Sequence, residues 1–343
     1  MDIAELLKKV VDAGASDLHM TTGIPPTMRL HGELRPMEGC PVIVPSTIDP
    51  IIDQITTPDQ RERFERQGEL DFSYGIAGVG RFRVNIFRQR GASAIVMRVI
   101  NVAIPTFADL GLPPIIQQIC NKRDGLVLVT GPTGSGKSTT LAAMVNYINE
   151  TRSAVIITLE DPIEFLHKHK KGIINQREVG SDTKSFAAGL RAALREDPDV
   201  ILLGEMRDME TMENALRAAE TGHLVLSTLH TRGAAYSVDR IIDVFPPHQQ
   251  SQIRAQLANA LQAVISQQLV PRADGRGRVA ALEIMTATPA VRTLIREGKT
   301  HQIDSVIETS AAAGMQTMDA SLKQLFLSGI ISREEYEARR RVI

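Results

Sequence analysis

The clearest chemistry in the sequence lies in one uninterrupted stretch, Gly131-Pro132-Thr133-Gly134-Ser135-Gly136-Lys137-Ser138-Thr139. It fits the pattern G-x-x-x-x-G-K-[S/T], in which glycines let backbone N–H groups close around phosphate oxygens. Lys137 has the reach for the β- and γ-phosphates, and Ser138 offers a hydroxyl to Mg²⁺. The residues around the stretch fit as well. An apolar run (126–130) precedes it as a strand, and a helix beginning near Lys137 follows, with Leu141, Met144, Val145 and Ile148 on one face. The helix N-terminus adds partial positive charge to the cradle. ATP and Mg²⁺ are the ligands this pattern implies.

Hydrolysis needs more than a cradle: a carboxylate must orient and deprotonate water, and the metal needs support. Two acidic segments stand at the ends of later apolar runs, Thr158-Leu159-Glu160-Asp161-Pro162-Ile163-Glu164 and Gly204-Glu205-Met206-Arg207-Asp208. An open parallel sheet gathers its ligands at the C-terminal ends of its strands, which is where both segments fall. In the second, Gly204 occupies the place of the usual metal-binding Asp. Glu205 is therefore expected to hold the Mg²⁺ shell, directly or through a water, and Glu160 to act as general base, although their order stays open. The next run ends in Thr228-Leu229-His230-Thr231, so His230 can sense a γ-phosphate by donating a hydrogen bond. His223, just after Gly222, is a second candidate for that role.

These residues require particular elements beneath them. Runs 126–130, 154–159, 200–203 and 224–227 are apolar throughout and alternate with helical stretches at 184–196 and 209–221. That pattern predicts an α/β domain with a parallel sheet covered on both faces. From residue 246 onward the chain reads as mainly helical, with Ile253, Leu257, Leu261, Val264 and Ile265 in one stripe. Thr288-Pro289 opens a further helix, and Ser332-x-x-Glu335 reads as a capping box. Before residue 100 the period is different. Leu6, Leu7 and Val10 form a helix face, then Met28/Leu30, Leu70/Phe72/Tyr74 and Phe82/Val84/Ile86 alternate as strands, with Ala94–Ile100 as a partner. A mostly antiparallel sheet with one or two helices is expected over 1–100. A proline-rich linker spans 101–114, and the nucleotide domain with a C-terminal helical region spans 115–343.

Composition narrows the function. The 39 Lys+Arg residues balance 40 Asp+Glu, Trp is absent, and aromatics are 4% of residues. Neither a basic surface nor stacking platforms for nucleic acid are implied. Cys40 and Cys120 stand alone, so neither a four-thiolate zinc site nor a disulfide framework is expected. No signal peptide or membrane-length apolar run is visible, and a cytoplasmic location is expected.

Four boxes, at 131–138, 158–164, 204–208 and 222–231, together resemble the secretion ATPase superfamily, and they occur in that family's order. Within it the chain resembles the type IV pilus retraction branch over essentially its full length. Ala15-Ser16-Asp17-Leu18-His19, Gly80-Arg81-Phe82-Arg83-Val84-Asn85 and Ala290-Val291-Arg292-Thr293-Leu294-Ile295-Arg296-Glu297 carry that likeness. The last departs from the branch's box at Val291 and Thr293.

The resemblance implies a small PAS-like α+β N-terminal domain followed by a RecA-like P-loop ATPase domain with C-terminal helices. It also implies a homohexamer that hydrolyses ATP to drive pilus retraction and twitching motility. Partners would be the pilus machinery and an inner-membrane platform protein, placing the chain at the cytoplasmic face of that membrane without a transmembrane segment. Arg81 and Arg83 are implied to neutralise γ-phosphate charge, with Arg98 third. Without the family, arginines on one strand face are a solvated surface. Arg195 and Arg207 are alternative sensors. Arg292 and Arg296, one turn apart, are implied in partner contact. His167–Lys171 reads as a solvated basic loop, and Met206, Met209 and Met212 as helix packing.

Three other readings compete. A pilus-extension or type II secretion ATPase is disfavoured by the lone cysteines and by a start almost at the first sheet. A RecA-like nucleic-acid motor is disfavoured by charge and aromatic content. A non-catalytic nucleotide scaffold is disfavoured by the acids and histidine being present together.

Overall fold

The computed structural model describes residues 2–100 and 103–340. Two compact units divide the chain, Met1–Ala103 with Pro162–Leu166, and Ile104–Asp161 with His167–Ile343.

In the first unit, helix α1 (Ile3–Asp12) is capped by the Asp2 carboxylate, which accepts from Ala4 N at 2.8 Å. Strands β1 (Asp17–Met20), β2 (Thr27–Leu30) and β3 (Glu33–Pro36) precede helices α2 (Pro45–Ile55) and α3 (Pro58–Gln67). Strands β4 (Glu69–Ile76), β5 (Gly80–Gln89) and β6 (Ala92–Ile100) follow. The sheet order is β3-β2-β1-β6-β5-β4, antiparallel at every pairing. Alternation sends Leu18, Phe82, Val84 and Ile95 into a core shared with Leu7, Ile48 and Phe64. Burying each such side chain contributes roughly 1.5–3 kcal/mol. The sequence pattern missed both α2 and α3. A Thr57–Gln60 capping box starts α3, and its single buried side chain, Phe64, leaves no stripe to read.

The opposite face is polar. Register places Arg29, Asp17, Arg98 and Arg83 in one row across β2, β1, β6 and β5. Asp17 accepts from Arg98 Nε at 2.8 Å and lies 3.9 Å from Arg29 Nε. Burial alone would raise its carboxyl, but the Ser16 hydroxyl and the Arg98 guanidinium outweigh that and hold it below its ordinary value.

The second unit begins with α4 (Ile115–Cys120), β7 (Gly125–Thr130), α5 (Lys137–Thr151), β8 (Val155–Glu160) and β9 (Ile173–Glu178). Next come α6 (Phe186–Ala193), β10 (Val200–Leu203), α7 (Met209–Glu220), β11 (Leu224–Leu229), α8 (Ala234–Asp243) and α9 (Pro247–Ala260). The hairpin β12 (Leu261–Pro271) and β13 (Arg278–Thr286) leads to α10 (Pro289–Glu297), α11 (Ile303–Thr309), α12 (Met318–Leu327) and α13 (Arg333–Arg339). Strand order is β13-β12-β7-β11-β10-β8-β9, parallel except for β13. One face packs on α4 and α5 through Ile116, Leu141 and Met144. The other packs on α6 to α11 through residues such as Leu190, Leu216, Val238 and Leu257.

Helices α9 to α13 bear out a mainly helical region after 246, but the β12–β13 hairpin interrupts it where a continuous helical stripe was expected. Val264 and Ile265 belong to β12, which pairs with β7 on one side and β13 on the other. The helical stripe ends at Ala260. Beyond it, β-branched residues and the free edge of β7 favour a strand, and that gain depends on tertiary pairing that spacing does not reveal. Ser332 caps α13 by accepting from Glu335 N at 3.2 Å, but the Glu335 carboxylate pairs with Arg339. Within 101–114, residues 101 and 102 lie outside the described residues, while Phe107 and Leu112 are buried in the second unit's core.

Candidate nucleotide site

Four parallel strands in the order β7-β11-β10-β8 carry the phosphate loop, the histidine, Glu205 and Glu160 at their C-terminal ends. Along the chain these residues span 131 to 230. Sheet order brings their loops to one edge.

The loop opens out of β7, which is buried along its whole length. Gly131 has φ 142°, and a Cβ there would lie 2.3 Å from the Gln267 carbonyl oxygen. Gly136 has φ 87° and serves as N-cap of α5. No other residue fits these two positions without strain. Lys137 is only 8% exposed, and its Nζ donates to Gly131 O at 2.9 Å and Pro132 O at 3.1 Å. The lysine therefore sits under the loop whose ligand it would meet. Ser138, one residue into α5, is exposed. Pro132, Thr133, Gly134 and Ser135 complete the turn, with Gly134 at φ 78° and the Ser135 hydroxyl buried, and Thr139 lies in the first turn of α5.

Glu160 ends β8. Its Oε1 accepts from Thr158 Oγ1 at 2.6 Å and from Gln176 Nε2 at 3.1 Å. Gln176, on β9, takes the backbone N–H of His167 on its own oxygen at 2.8 Å. Sequence reading missed Gln176, which follows Glu160 by 16 residues and reaches it only through the pairing of β9 with β8. Glu205 follows β10 and its side chain is 16% exposed. Arg207 Nε donates to its Oε1 at 2.7 Å, and His230 Nε2 lies 3.5 Å from its Oε2. Gly204 between them is stitched on both sides. Its N–H donates to Leu159 O at 2.8 Å, and its carbonyl accepts from Thr228 Oγ1 at 2.6 Å. A Cβ at Gly204 would lie 3.3 Å from Leu159 O, so the close approach of β8 and β10 favours glycine there.

The segment after His230 is held by a buried polar chain. Thr231 Oγ1 meets Ser237 Oγ at 2.7 Å, and Gly233 N donates to Ser266 Oγ at 2.9 Å. Ala234 N donates to Glu283 Oε1 at 2.8 Å. None of Ser237, Ser266 or Glu283 stands in a motif.

Several expected residues lie elsewhere. His223 precedes β11, at the end of the sheet away from the loop, where its Nδ1 is 3.0 Å from Ala218 O at the close of α7. Arg195 donates to Arg191 O at 2.9 Å on the approach to the N-terminal end of β10, again away from that edge. Arg81 and Arg83 are on β5 of the first unit, half-buried and exposed respectively. Of the methionines, Met206 and Met212 are core while Met209 is exposed. The basic loop is exposed over 168–171, in keeping with a solvated segment, and is also anchored. Lys170 pairs with Glu150, and buried Asn149 donates to Lys168 O at 2.7 Å. His167 is packed into the fold, and burial together with Lys170 pushes its pKa down to about 4.

Arg292 is also engaged within the fold. Its guanidinium donates to Ala287 O at 3.0 Å and to Ala258 O and Asn259 O, capping the last turn of α9. Arg296 is exposed. The two residues of the 290–297 segment that read as a pair have different surroundings.

The cradle fits a nucleoside polyphosphate: positive-φ glycines, an N-terminal helix turn and a lysine converge on one loop. No cluster of three metal-ligating side chains occurs among the described residues. A Mg²⁺ ion would therefore depend on Ser138, Glu205 and the nucleotide's own oxygens.

A parallel sheet with this order, phosphate loop and acidic edge defines a class, and the chain belongs to the type II/IV secretion system protein family, whose model matches residues 2–338. Within the family the likeness is specific. The type IV pilus retractation ATPase PilT of Pseudomonas aeruginosa is 50% identical over 342 residues, covering 100% of this chain and 99% of that protein. A twitching motility protein of Neisseria gonorrhoeae is 52% identical over 316 residues, 92% of this chain and 84% of that one. The crystal structure of the pilus retraction motor PilT with bound ADP superposes with a TM-score of 0.92 at 49% identity, covering 100% of this chain and 98% of that one. No described helix is long and apolar enough to cross a membrane.

Proposed function

We propose that this chain is an ATP-hydrolysing motor that powers type IV pilus retraction, working as a homohexamer. One observation carries the reading: phosphate loop, two carboxylates and a histidine share one sheet edge in a chain that matches pilus retraction motors end to end.

Each residue then has a task. The backbone N–H groups of 131–139 and Lys137 bind the phosphates, and Ser138 with Glu205 holds Mg²⁺, Glu205 directly or through a water. When bound, the ion neutralises charge on the β- and γ-oxygens. Glu160 takes the proton of the attacking water, and the Thr158 and Gln176 hydrogen bonds to its Oε1 support that assignment by fixing the carboxylate at the end of β8. His230 reports the γ-phosphate to Glu205. Arg81 and Arg83 act on the nucleotide of a neighbouring subunit, where a fully engaged arginine is worth about 10³–10⁵ in rate. The 1–100 region is the PAS-like part and 115–343 the RecA-like motor, joined through 101–114. The chain sits at the cytoplasmic face of the inner membrane against a platform protein of the pilus base.

Deleting the gene and counting surface pili tests the reading. Surplus pili that fail to retract are expected. Bald cells would assign extension instead, and normal pili with failed protein export would assign secretion.

A further inference from the structure

We propose that Gln267 is a positioning residue for nucleotide binding, holding the phosphate loop in its binding shape from the neighbouring strand. The proposal rests on the reading of residues 131–139 as the nucleotide site.

Gln267 lies on β12, 3% exposed. Ala263 and Ile265, four and two residues earlier on the same face, fill the apolar core under α5. Where that face reaches the loop, an amide replaces the hydrocarbon. Its Nε2 donates to Ser135 O at 2.7 Å, and its Oε1 accepts from Thr140 Oγ1 at 2.8 Å. The orientation is fixed by chemistry, since a backbone carbonyl can only accept. A flipped amide would set two oxygens against each other.

The consequence follows from the planarity of the peptide unit. In a trans peptide the C=O and the following N–H point in opposite directions. Drawing the Ser135 carbonyl toward Gln267 therefore turns the Gly136 N–H away from β12, to the side where phosphate oxygens would lie. The same residue touches the loop twice more. Its backbone oxygen would lie 2.3 Å from a Cβ at Gly131, and its Nε2 2.7 Å from a Cβ at Gly136. The loop is moulded on Gln267 at its entrance and its exit, with Thr140 as the hold on α5.

ADP affinity of the full-length protein, measured by titration between pH 6 and pH 9, tests this with Gln267→Leu, Gln267→Glu and Thr140→Val beside the wild type. Gln267→Leu is expected to bind about tenfold more weakly at every pH. Gln267→Glu is expected to match that loss at pH 9 and recover most of it toward pH 6. Burial raises its carboxyl, and the protonated acid again donates to Ser135 while accepting from Thr140. Thr140→Val, a milder change, is expected to lose about threefold. Melting curves without ADP establish that each variant is folded. Affinities equal to wild type throughout overturn the proposal. So does a loss in Gln267→Glu that ignores pH, because that is what disturbed packing alone would give. Lys137→Ala separates the two readings. If it abolishes binding while the Gln267 and Thr140 variants bind normally, only the positioning role falls. If it binds ADP as wild type, the nucleotide site itself is misassigned and the proposal falls with it.

Discussion

His230 Nε2 stands 3.5 Å from Glu205 Oε2, joining the ends of β11 and β10, while Arg207 holds the other oxygen of the same carboxylate at 2.7 Å. A carboxylate gripped from two sides has little freedom to wander, so the histidine and the acid should act as one unit. Glu205→Gln is expected to lower turnover by about 10²–10³ while ADP affinity stays within about threefold. His230→Ala alone should cost about 10–100-fold. Because the pair touches, the double variant should lose clearly less than the product of the single losses. Multiplying losses in steady-state ATPase assays would mean that the two residues act separately.

Arg292 and Arg296 should part company on mutation. Arg292→Ala strips donors from the carbonyls of Ala258 and Asn259. The cost is about 1–3 kcal/mol, visible as a fall of roughly 3–10 °C in melting temperature. Arg296→Ala, at an exposed position, should melt within about 1 °C of wild type and hydrolyse ATP normally. Cells carrying it are nevertheless expected to retract pili poorly. Normal retraction in Arg296→Ala cells would remove the partner-contact role from this segment.

The fold should weaken in mild acid through His167. Its pKa falls from 6.5 in the free side chain to about 4 in the fold, because burial, with help from Lys170, disfavours the charged ring. Above pH 6.5 both states are neutral and the histidine contributes nothing to pH dependence. As pH drops toward 4 the unfolded chain takes up a proton that the folded chain refuses, and stability is lost. His167→Gln should flatten that part of the urea-midpoint profile. A profile identical to wild type would show that another group governs it.

What the sequence made legible was local. The loop at 131–139 could be read because strand, turn and helix follow one another within a few residues. Glu160, Glu205 and His230 stand out as candidates because each ends an apolar run. What stayed hidden depends on pairing between distant parts of the chain. Gln267 meets Thr140 across 127 residues, and Arg292 meets Ala258 across 34. The β12 strand was read as helix because Leu257, Leu261, Val264 and Ile265 keep helical spacing, and only the open edge of β7 decides otherwise. His223 and His230 look alike as histidines near one strand, but the strand's direction puts one at the wrong end.

Gly204 has a mechanical consequence. Its amide is tied to β8 and its carbonyl to β11, so the three strand ends that carry Glu160, Glu205 and His230 are riveted at a single residue. An engine that turns a bond-breaking event into displacement must not let the force leak away as slack between neighbouring parts. With this rivet in place, a shift imposed on one of the three loops is expected to be shared by the other two, so that the sheet edge would move as a stiff plate.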